Sequence, residues 1–266
     1  MPFAHVNGTD LYYEIHGQGA ETIVFSHGLL WSGELFREQV RYFKNRYTCI
    51  TYDHRGQGKS PDSKTPFDME TLYQDAVSLL LHLKCTPCHF VGLSMGGFIA
   101  MRIAARRPDL LKSCILLETS ADEEPHKIKY TILNTIVKIF GVKSVTSKVA
   151  PIMFGQSFLK DPQKAGLRAE WIGKLEANRK SITRSVDAVI YRRPVFDELK
   201  RIQLPVLILV GEEDVATTPE KAERIKSQIP HAKLYRIPAA GHSSTIENPE
   251  EVNRRMDEFL RSLSKT

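Results

Sequence analysis

One serine of this chain lies among glycines at the junction of two apolar segments. The stretch FVGLSMGGFIA, residues 90–100, places Ser94 in the order Gly-Leu-Ser-Met-Gly, after a strand-like run and before a helical one. In a strand–turn–helix context this pattern is typical of a nucleophilic serine, because glycines remove the side chains that would crowd the tight turn. The sequence therefore predicts that the Ser94 hydroxyl projects from the carboxyl edge of a sheet.

A nucleophilic serine needs a general base, and the base needs an acid that orients it. The predicted base is His242, which follows a predicted strand at 232–237, and the predicted acid is Asp214, which follows one at 205–210. Both therefore lie at the sheet edge that carries Ser94, and Glu213 is the alternative acid. Ser, Asp and His in this chain order form a known arrangement for acyl transfer.

The elements that position these residues are strands alternating with helices. This pattern predicts an α/β fold with a mostly parallel eight-stranded sheet and helices on both faces. The predicted strands are 3–7, 10–16, 22–26, 47–52, 88–92, 112–118, 205–210 and 232–237. The strongest predicted helices are 68–84, capped by Asp68, then 94–106 and 249–263. Asn7-Gly8 predicts a hairpin between the first two strands.

Residues 120–197 interrupt the alternation and predict a helical cap inserted between strands six and seven. Helical patterns cover 128–140 and roughly 163–190, and the core domain is then 1–119 and 198–266. An apolar stripe on the first cap helix, flanked by lysines, is typical of a lipase surface that opens on lipid. Packing of the stripe over the sheet is the interpretation we favour. The stripe consists of Ile128, Ile132, Ile136 and Phe140.

Charge and composition limit the partners that we expect. Residues 119–197 contain 14 Lys and Arg against 8 Asp and Glu, which could attract an acidic substrate, an anionic membrane or nucleic acid. The basic residues are scattered without interleaved aromatic residues, so we expect solvated helix faces and no nucleic-acid partner. No apolar run approaches the roughly 20 residues of a membrane helix. The first fifteen residues lack the features of a secretory signal, so a cytoplasmic location is expected.

Two further motifs resemble a metal site and a nucleotide site but lack residues that those sites require. Cys85 and Cys88 form a C-x-x-C pair, but no second pair completes a zinc site, so we expect two thiols on a helix-to-strand turn. The sequence Gly58-Lys59-Ser60 resembles the end of a P-loop, but Asp53 stands where its first glycine is required. Nucleotide binding is therefore not expected.

With these motifs the sequence resembles the α/β-hydrolase superfamily over nearly its whole length. It resembles most the branch of small esterases, enol-lactonases and carbon–carbon-bond hydrolases. The segment 26–29 (SHGL) resembles the family's oxyanion loop, which implies that the backbone N–H groups of Leu29 and Met95 form the oxyanion hole and that His27 shapes the loop. Residues 53–60 (DHRGQGKS) resemble a turn that is structural in the family.

The resemblance implies a serine hydrolase that cleaves a small or medium carboxylic ester or lactone through an acyl-enzyme, without a metal or organic cofactor. A carbon–carbon-bond hydrolase, a cofactor-free perhydrolase, and a receptor or signalling protein with slow or no turnover remain alternatives. A serine at the nucleophile position disfavours haloalkane dehalogenase and epoxide hydrolase activities, which use aspartate there.

The substrate pocket is expected between the sheet edge and the cap. Its predicted walls are apolar residues beside the oxyanion loop and in the cap: Leu29, Leu30, Trp31, Met95, Met153 and Phe154. Arg192 and Arg193 are weak candidates to bind a remote carboxylate of the substrate. The sequence leaves the physiological substrate and the oligomeric state open.

Overall fold

A single eight-stranded sheet organises the chain. In the computed structural model, which describes residues 2–263, the strands follow the order β1-β2-β4-β3-β5-β6-β7-β8. β1 and β2 pair with each other in antiparallel orientation, and β2 pairs with β4 in the same way. The six strands β3 to β8 are parallel to one another. The strands are β1 (Phe3–Val6), β2 (Thr9–His16), β3 (Thr22–Ser26), β4 (Thr48–Tyr52), β5 (Cys88–Leu93), β6 (Leu111–Leu117), β7 (Val206–Gly211) and β8 (Lys233–Ile237).

Helices precede, separate and follow the parallel strands. They are α1 (Arg37–Phe43), α2 (Met69–His82), α3 (Met95–Arg106), α4 (Lys127–Phe140), α5 (Thr146–Met153), α6 (Gln156–Lys160), α7 (Ala165–Glu176), α8 (Thr183–Ile190), α9 (Pro219–Gln228), α10 (Ser244–Glu247) and α11 (Pro249–Leu263). Short 3-10 helices cover Gly33–Phe36, Pro108–Leu110, Val142–Val145, Pro162–Lys164, Lys180–Ile182 and Phe196–Arg201. The predicted α/β-hydrolase fold is confirmed.

Two apolar cores cover the two faces of the sheet. Successive residues of one strand belong to different cores: Val24 packs with α2, α3 and α9, whereas Ile23 and Phe25 pack with α1 and α11. This alternation follows from the two-residue period of a strand, and it explains why the central strands are apolar on both faces. The sheet is therefore held rigidly from both sides, which fixes the positions of the loops at its carboxyl edge.

Local signals in the sequence explain several element boundaries. Asp68 caps α2, because its Oδ1 accepts a hydrogen bond from the Thr71 amide at 2.9 Å. Asn7 and Gly8 both have positive φ, +48° and +72°, as a tight two-residue hairpin turn requires. Cys85 and Cys88 are free thiols in the connection between α2 and β5 and at the start of β5.

The segment between β6 and β7 contains helices α4 to α8. The continuous helical pattern predicted over 163–190 is instead two helices, α7 and α8, separated by residues 177–182. Helices α5 and α6 were not predicted, because each is short and lacks a clear apolar period. Residues 1 and 264–266 of the predicted core domain lie outside the described range.

The apolar stripe of α4 does not pack over the sheet, and that prediction is wrong. Ile128, Ile132 and Phe140 are 79%, 57% and 69% exposed, and Ile136 is half-buried. The inward face of α4 is set instead by Asn134, whose Nδ2 donates to the Thr183 carbonyl at 3.0 Å and to Asp187 at 2.7 Å. With Asn134 buried against α8, the stripe lies on the outer face of α4. No helix among residues 2–263 is both long and apolar enough to span a membrane.

Candidate active site

Ser94 occupies a strained turn between β5 and α3. Its φ is +51° and its ψ is −108°, a conformation that costs a non-glycine residue on the order of 1–3 kcal/mol. The turn is held by hydrogen bonds from the Ser94 amide to the Leu117 carbonyl and from Thr119 Oγ1 to the Ser94 carbonyl, both at 2.9 Å. The strain directs the Ser94 hydroxyl out of the sheet edge, as the sequence predicts.

The glycines that flank Ser94 allow close backbone contacts. A Cβ atom on Gly92 would lie 2.2 Å from the Gly96 carbonyl oxygen, and one on Gly96 would lie 1.9 Å from the Ser26 carbonyl oxygen. Neither contact leaves room for a methyl group, since both neighbours are backbone atoms. The G-x-S-x-G pattern is therefore a packing requirement of the turn and of its contact with β3.

The structure brings Ser94, His242 and Asp214 into one hydrogen-bonded chain. His242 Nε2 lies 2.9 Å from Ser94 Oγ, and His242 Nδ1 lies 2.9 Å from Asp214 Oδ2. The His242 and Asp214 side chains are 6% and 0% exposed. A nucleophile, a base and an acid in this order are suited to proton transfer from the serine hydroxyl.

Asp214 is fixed by its own loop. Its Oδ1 accepts hydrogen bonds from the amides of Ala216 and Thr217 at 2.8 and 3.0 Å. Thr217 Oγ1 donates to Asp214 Oδ2 at 2.8 Å and lies 3.3 Å from His242 Nδ1. Thr217 was missed in the sequence, where only its position three residues after Asp214 could have indicated this role.

Glu213, the alternative acid, forms hydrogen bonds with Ser157 of the helical segment. Its Oε2 accepts a hydrogen bond from the Ser157 amide at 2.8 Å, and its Oε1 accepts one from the Ser157 hydroxyl. Glu213 thus ties the β7 loop to α6 of the helical segment. The geometry favours Asp214 as the partner of His242.

Leu29 and Met95, the residues expected to form the oxyanion hole, belong to two segments next to Ser94. α3 begins at Met95, so the Met95 amide has no carbonyl within the helix to which it can donate. Leu29 lines the same cavity as Ser94. Gln57 connects the two segments, because its Oε1 accepts from the Leu30 amide at 3.0 Å and its Nε2 lies 3.7 Å from Met95 Sδ. Gln57 was not singled out in the sequence, where it lay inside the structural turn.

His27 shapes the loop that precedes Leu29. Its Nδ1 lies 2.7 Å from the Gly28 carbonyl and its Nε2 accepts a hydrogen bond from the His54 amide at 3.1 Å. Burial lowers the pKa of His27 and holds that of His54 well below its usual value, which favours the neutral form of both rings. Asp53 fixes the neighbouring turn by accepting from the amides of Gly33 and Lys59, each at 2.7 Å.

Two buried carboxyl groups lie behind this arrangement. Glu118 follows β6 and is completely buried, and burial is the largest reason why its pKa is raised well above the usual range. Burial also raises the pKa of Glu247 to about 7. Neither carboxyl group was predicted from the sequence, since nothing local distinguishes them from surface acids.

Ser94 and His242 open into a cavity of about 150 Å³ between the sheet edge and the helical segment. Leu29, Leu30 and Met153 line it, as predicted, together with apolar residues of α4, α5 and α8 that were not predicted: Leu133, Val137, Val149, Val186 and Val189. An apolar cavity with a few polar groups is typical of a small-molecule site.

Trp31, Phe154 and Met95 do not line this cavity. Leu30 has a φ of +72°, which reverses the chain and turns Trp31 into the core, where its ring lies 5.9 Å from Phe154 and 5.4 Å from Trp171. Met95 is completely buried against Gln57. Of the two arginines that were candidates to bind a remote carboxylate, Arg192 lines the cavity and Arg193 is exposed to solvent.

Comparisons with known proteins show similarity along nearly the whole chain. A family model described as the α/β hydrolase fold matches residues 21–249. A 3-oxoadipate enol-lactonase of Acinetobacter baylyi is 26% identical, with the alignment covering 99% of this chain and 100% of that protein. A Pseudomonas syringae protein assigned as a carbamate hydrolase is 25% identical, covering 94% and 98%. The crystal structure of an enol-lactonase from Burkholderia xenovorans has a TM-score of 0.90 at 26% identity, covering 98% and 100%.

Proposed function

The chain belongs to the α/β-hydrolase family, and we propose that it is a serine hydrolase of small carboxylic esters or lactones. The observation that carries this proposal is the hydrogen-bonded chain from Ser94 through His242 to Asp214, with both distances at 2.9 Å. The enol-lactonase names of two similar proteins support the ester or lactone class. The carbamate name of another supports only hydrolysis in general.

The first half of the proposed reaction acylates Ser94. His242 Nε2 takes the proton from Ser94 Oγ while the oxygen attacks the substrate carbonyl carbon. Asp214 holds the Nδ1–H tautomer of His242 and stabilises the imidazolium that forms. The imidazolium then donates its proton to the leaving alkoxide, and the acyl group remains bonded to Ser94.

The second half returns the free enzyme. His242 removes a proton from water, the resulting hydroxide attacks the acyl carbonyl, and the proton passes to Ser94 Oγ as the carboxylic acid departs. In both halves the backbone N–H groups of Leu29 and Met95 would donate to the oxyanion. Removing one donor of this kind costs roughly 10² to 10³ in kcat in other serine hydrolases.

The cavity limits the acyl group. A volume of about 150 Å³ is close to that of an engineered apolar cavity that binds benzene, so acyl chains of roughly six carbons fit. Residues of α4, α5 and α8 line the cavity beside Ser94 and leave little room for an extended polypeptide. Short and medium esters are therefore the expected substrates, and proteins are not.

The test is hydrolysis of para-nitrophenyl esters with acyl chains from two to sixteen carbons. The wild type should prefer short and medium chains, and Ser94→Ala should lose on the order of 10⁴ to 10⁶ in kcat. Ser120→Ala is the control, since Ser120 follows β6 at the same sheet edge but lies outside the cavity lining. Full activity in Ser94→Ala would refute the serine mechanism, and best turnover at sixteen carbons would refute the small pocket.

A further inference from the structure

A carboxylate and a guanidinium lie in the wall of a mostly apolar cavity. Among the described lining residues, Glu124 is the only one with a carboxylate and Arg192 the only one with a guanidinium. Arg192 follows α8, and Glu124 precedes α4. A lone arginine here would favour a substrate with a remote carboxylate. Whether Glu124 neutralises the charge of Arg192 therefore decides which substrates fit.

Arg192 is held in one orientation in the wall of the cavity that contains Ser94. Its Nε donates to the Asp122 carbonyl at 2.9 Å and its Nη1 to the Val189 carbonyl at 2.8 Å. Its guanidinium lies 4.4 Å from the ring centre of Phe98. Phe98 is one helical turn beyond Ser94, about 6 Å along the axis of α3. The positive charge therefore lies in the cavity wall beside Phe98, on the helix that begins after Ser94.

Glu124 neutralises this charge inside the cavity. Its Oε2 lies 3.3 Å from Arg192 Nη1, and its Oε1 accepts a hydrogen bond from the His126 amide at 3.1 Å. The Glu124 side chain is only 14% exposed and that of Arg192 only 5%, so solvent screens the pair weakly. The nearby carboxylate of Asp122 is engaged by Lys221 at 2.8 Å and Arg224 at 2.9 Å. The cavity thus presents an ion pair rather than a free cation.

We propose that Glu124 and Arg192 form a charge-neutral subsite that selects uncharged substrates and rejects those with a carboxylate at the far end of the acyl chain. A substrate carboxylate that approached Arg192 would also approach the carboxylate of Glu124, and repulsion between like charges is strong where water is excluded. The inference rests on the proposed ester hydrolysis at Ser94. It assigns to Glu124 the role of a specificity-determining residue.

The test compares two substrates of equal acyl length. Para-nitrophenyl hexanoate ends in a methyl group, and the mono-para-nitrophenyl ester of adipic acid ends in a carboxylate. The wild type should favour the hexanoate in kcat/KM. Glu124→Gln removes the negative charge, so the adipate-to-hexanoate ratio of kcat/KM should rise roughly ten- to a hundredfold. The added substitution Arg192→Met should abolish this gain, because the gain requires the unmasked guanidinium.

Glu123→Gln is the matched control. Glu123 is adjacent in sequence, but its side chain is 61% exposed and pairs with Lys127. Removing its charge should leave the ratio unchanged, which separates the local effect from a change in overall charge. A wild type that prefers the adipate ester overturns the proposal without any variant. So does an unchanged ratio in a folded Glu124→Gln protein that still hydrolyses the hexanoate.

Failure of the proposed ester hydrolysis can be distinguished from failure of the subsite proposal. If the wild type hydrolyses neither ester, the serine-hydrolase proposal fails, and calorimetric binding of hexanamide and of adipic acid monoamide tests the subsite without turnover. Hexanamide should bind the wild type more tightly, and Glu124→Gln should tighten the binding of the monoamide at least tenfold. Preferential binding of the monoamide to the wild type would overturn the neutral subsite.

Discussion

The ionisation of Glu247 should reduce the stability of the protein as the pH rises. Glu247 ends α10, five residues after His242, and is 2% exposed. Its Oε1 accepts a hydrogen bond from the Ser243 amide at 3.0 Å and its Oε2 one from the Gly155 amide at 2.8 Å. The carboxyl group therefore joins the His242 loop to the helical segment. Burial raises the pKa of Glu247 from 4.5 to about 7.

The direction of the effect follows from this raised pKa. Between pH 4.5 and 7 the folded protein keeps the Glu247 proton that the unfolded chain has lost, so the free energy of unfolding falls as pH rises through this window. The difference between the two pKa values corresponds to ~3 kcal/mol. Glu247→Gln, which is neutral at every pH, should avoid this loss.

The assay is urea unfolding of the wild type and Glu247→Gln at several pH values from about 5 to 8.5. The unfolding free energy of Glu247→Gln minus that of the wild type should increase by about 2–3 kcal/mol as the pH rises over this range. Glu212→Gln is the control, because Glu212 is exposed at the end of β7 and its removal should leave the pH dependence unchanged. If the two stability curves for Glu247→Gln and the wild type ran parallel, the buried-carboxyl reasoning would be refuted.

Three further predictions concern the site and its turn. Asp214→Asn should lower kcat by about 10⁴, whereas Glu213→Gln should lower it less than tenfold; the reverse order in steady-state assays would reassign the acid. Gln57→Leu should lower kcat roughly tenfold and the free energy of unfolding by about 1–3 kcal/mol, because the Leu30 amide loses its acceptor. Unchanged kcat and an unchanged unfolding midpoint would show that Gln57 does not support the site. Gly96→Ala should lower the Tm or prevent folding, because the new Cβ would meet the Ser26 carbonyl. Gly166→Ala in α7 should raise the Tm slightly, because its Cβ would have no neighbouring atom within 4 Å. Equal Tm shifts in calorimetry would contradict the packing argument.

The sequence predicted the parts of this protein that depend on local patterns. Strand positions follow from apolar runs, and each predicted boundary lies within a residue or so of the observed one. Ser94, Asp214 and His242 could be selected because each follows a predicted strand at the same edge. Topology then brings such residues together without any knowledge of side-chain packing.

The remaining features depend on contacts between distant segments. Thr217, Gln57 and Glu247 act through hydrogen bonds that form only after the loops have met, and no local pattern marks them. The pocket walls depend on how α4 is rotated and on the reversal of the chain at Leu30. For this reason Trp31 was expected in the cavity and lies in the core, and the α4 stripe was expected inside and lies outside.

The most direct test of the central claim is to trap the acyl-enzyme. The protein is mixed with para-nitrophenyl hexanoate, quenched in acid within the first turnovers, digested and examined by mass spectrometry. A single hexanoyl group on the peptide that contains Ser94, absent from Ser94→Ala and formed far more slowly in His242→Ala, is the predicted result. Steady turnover of the ester with the hexanoyl group on another residue, or with undiminished hydrolysis by Ser94→Ala, would contradict the account.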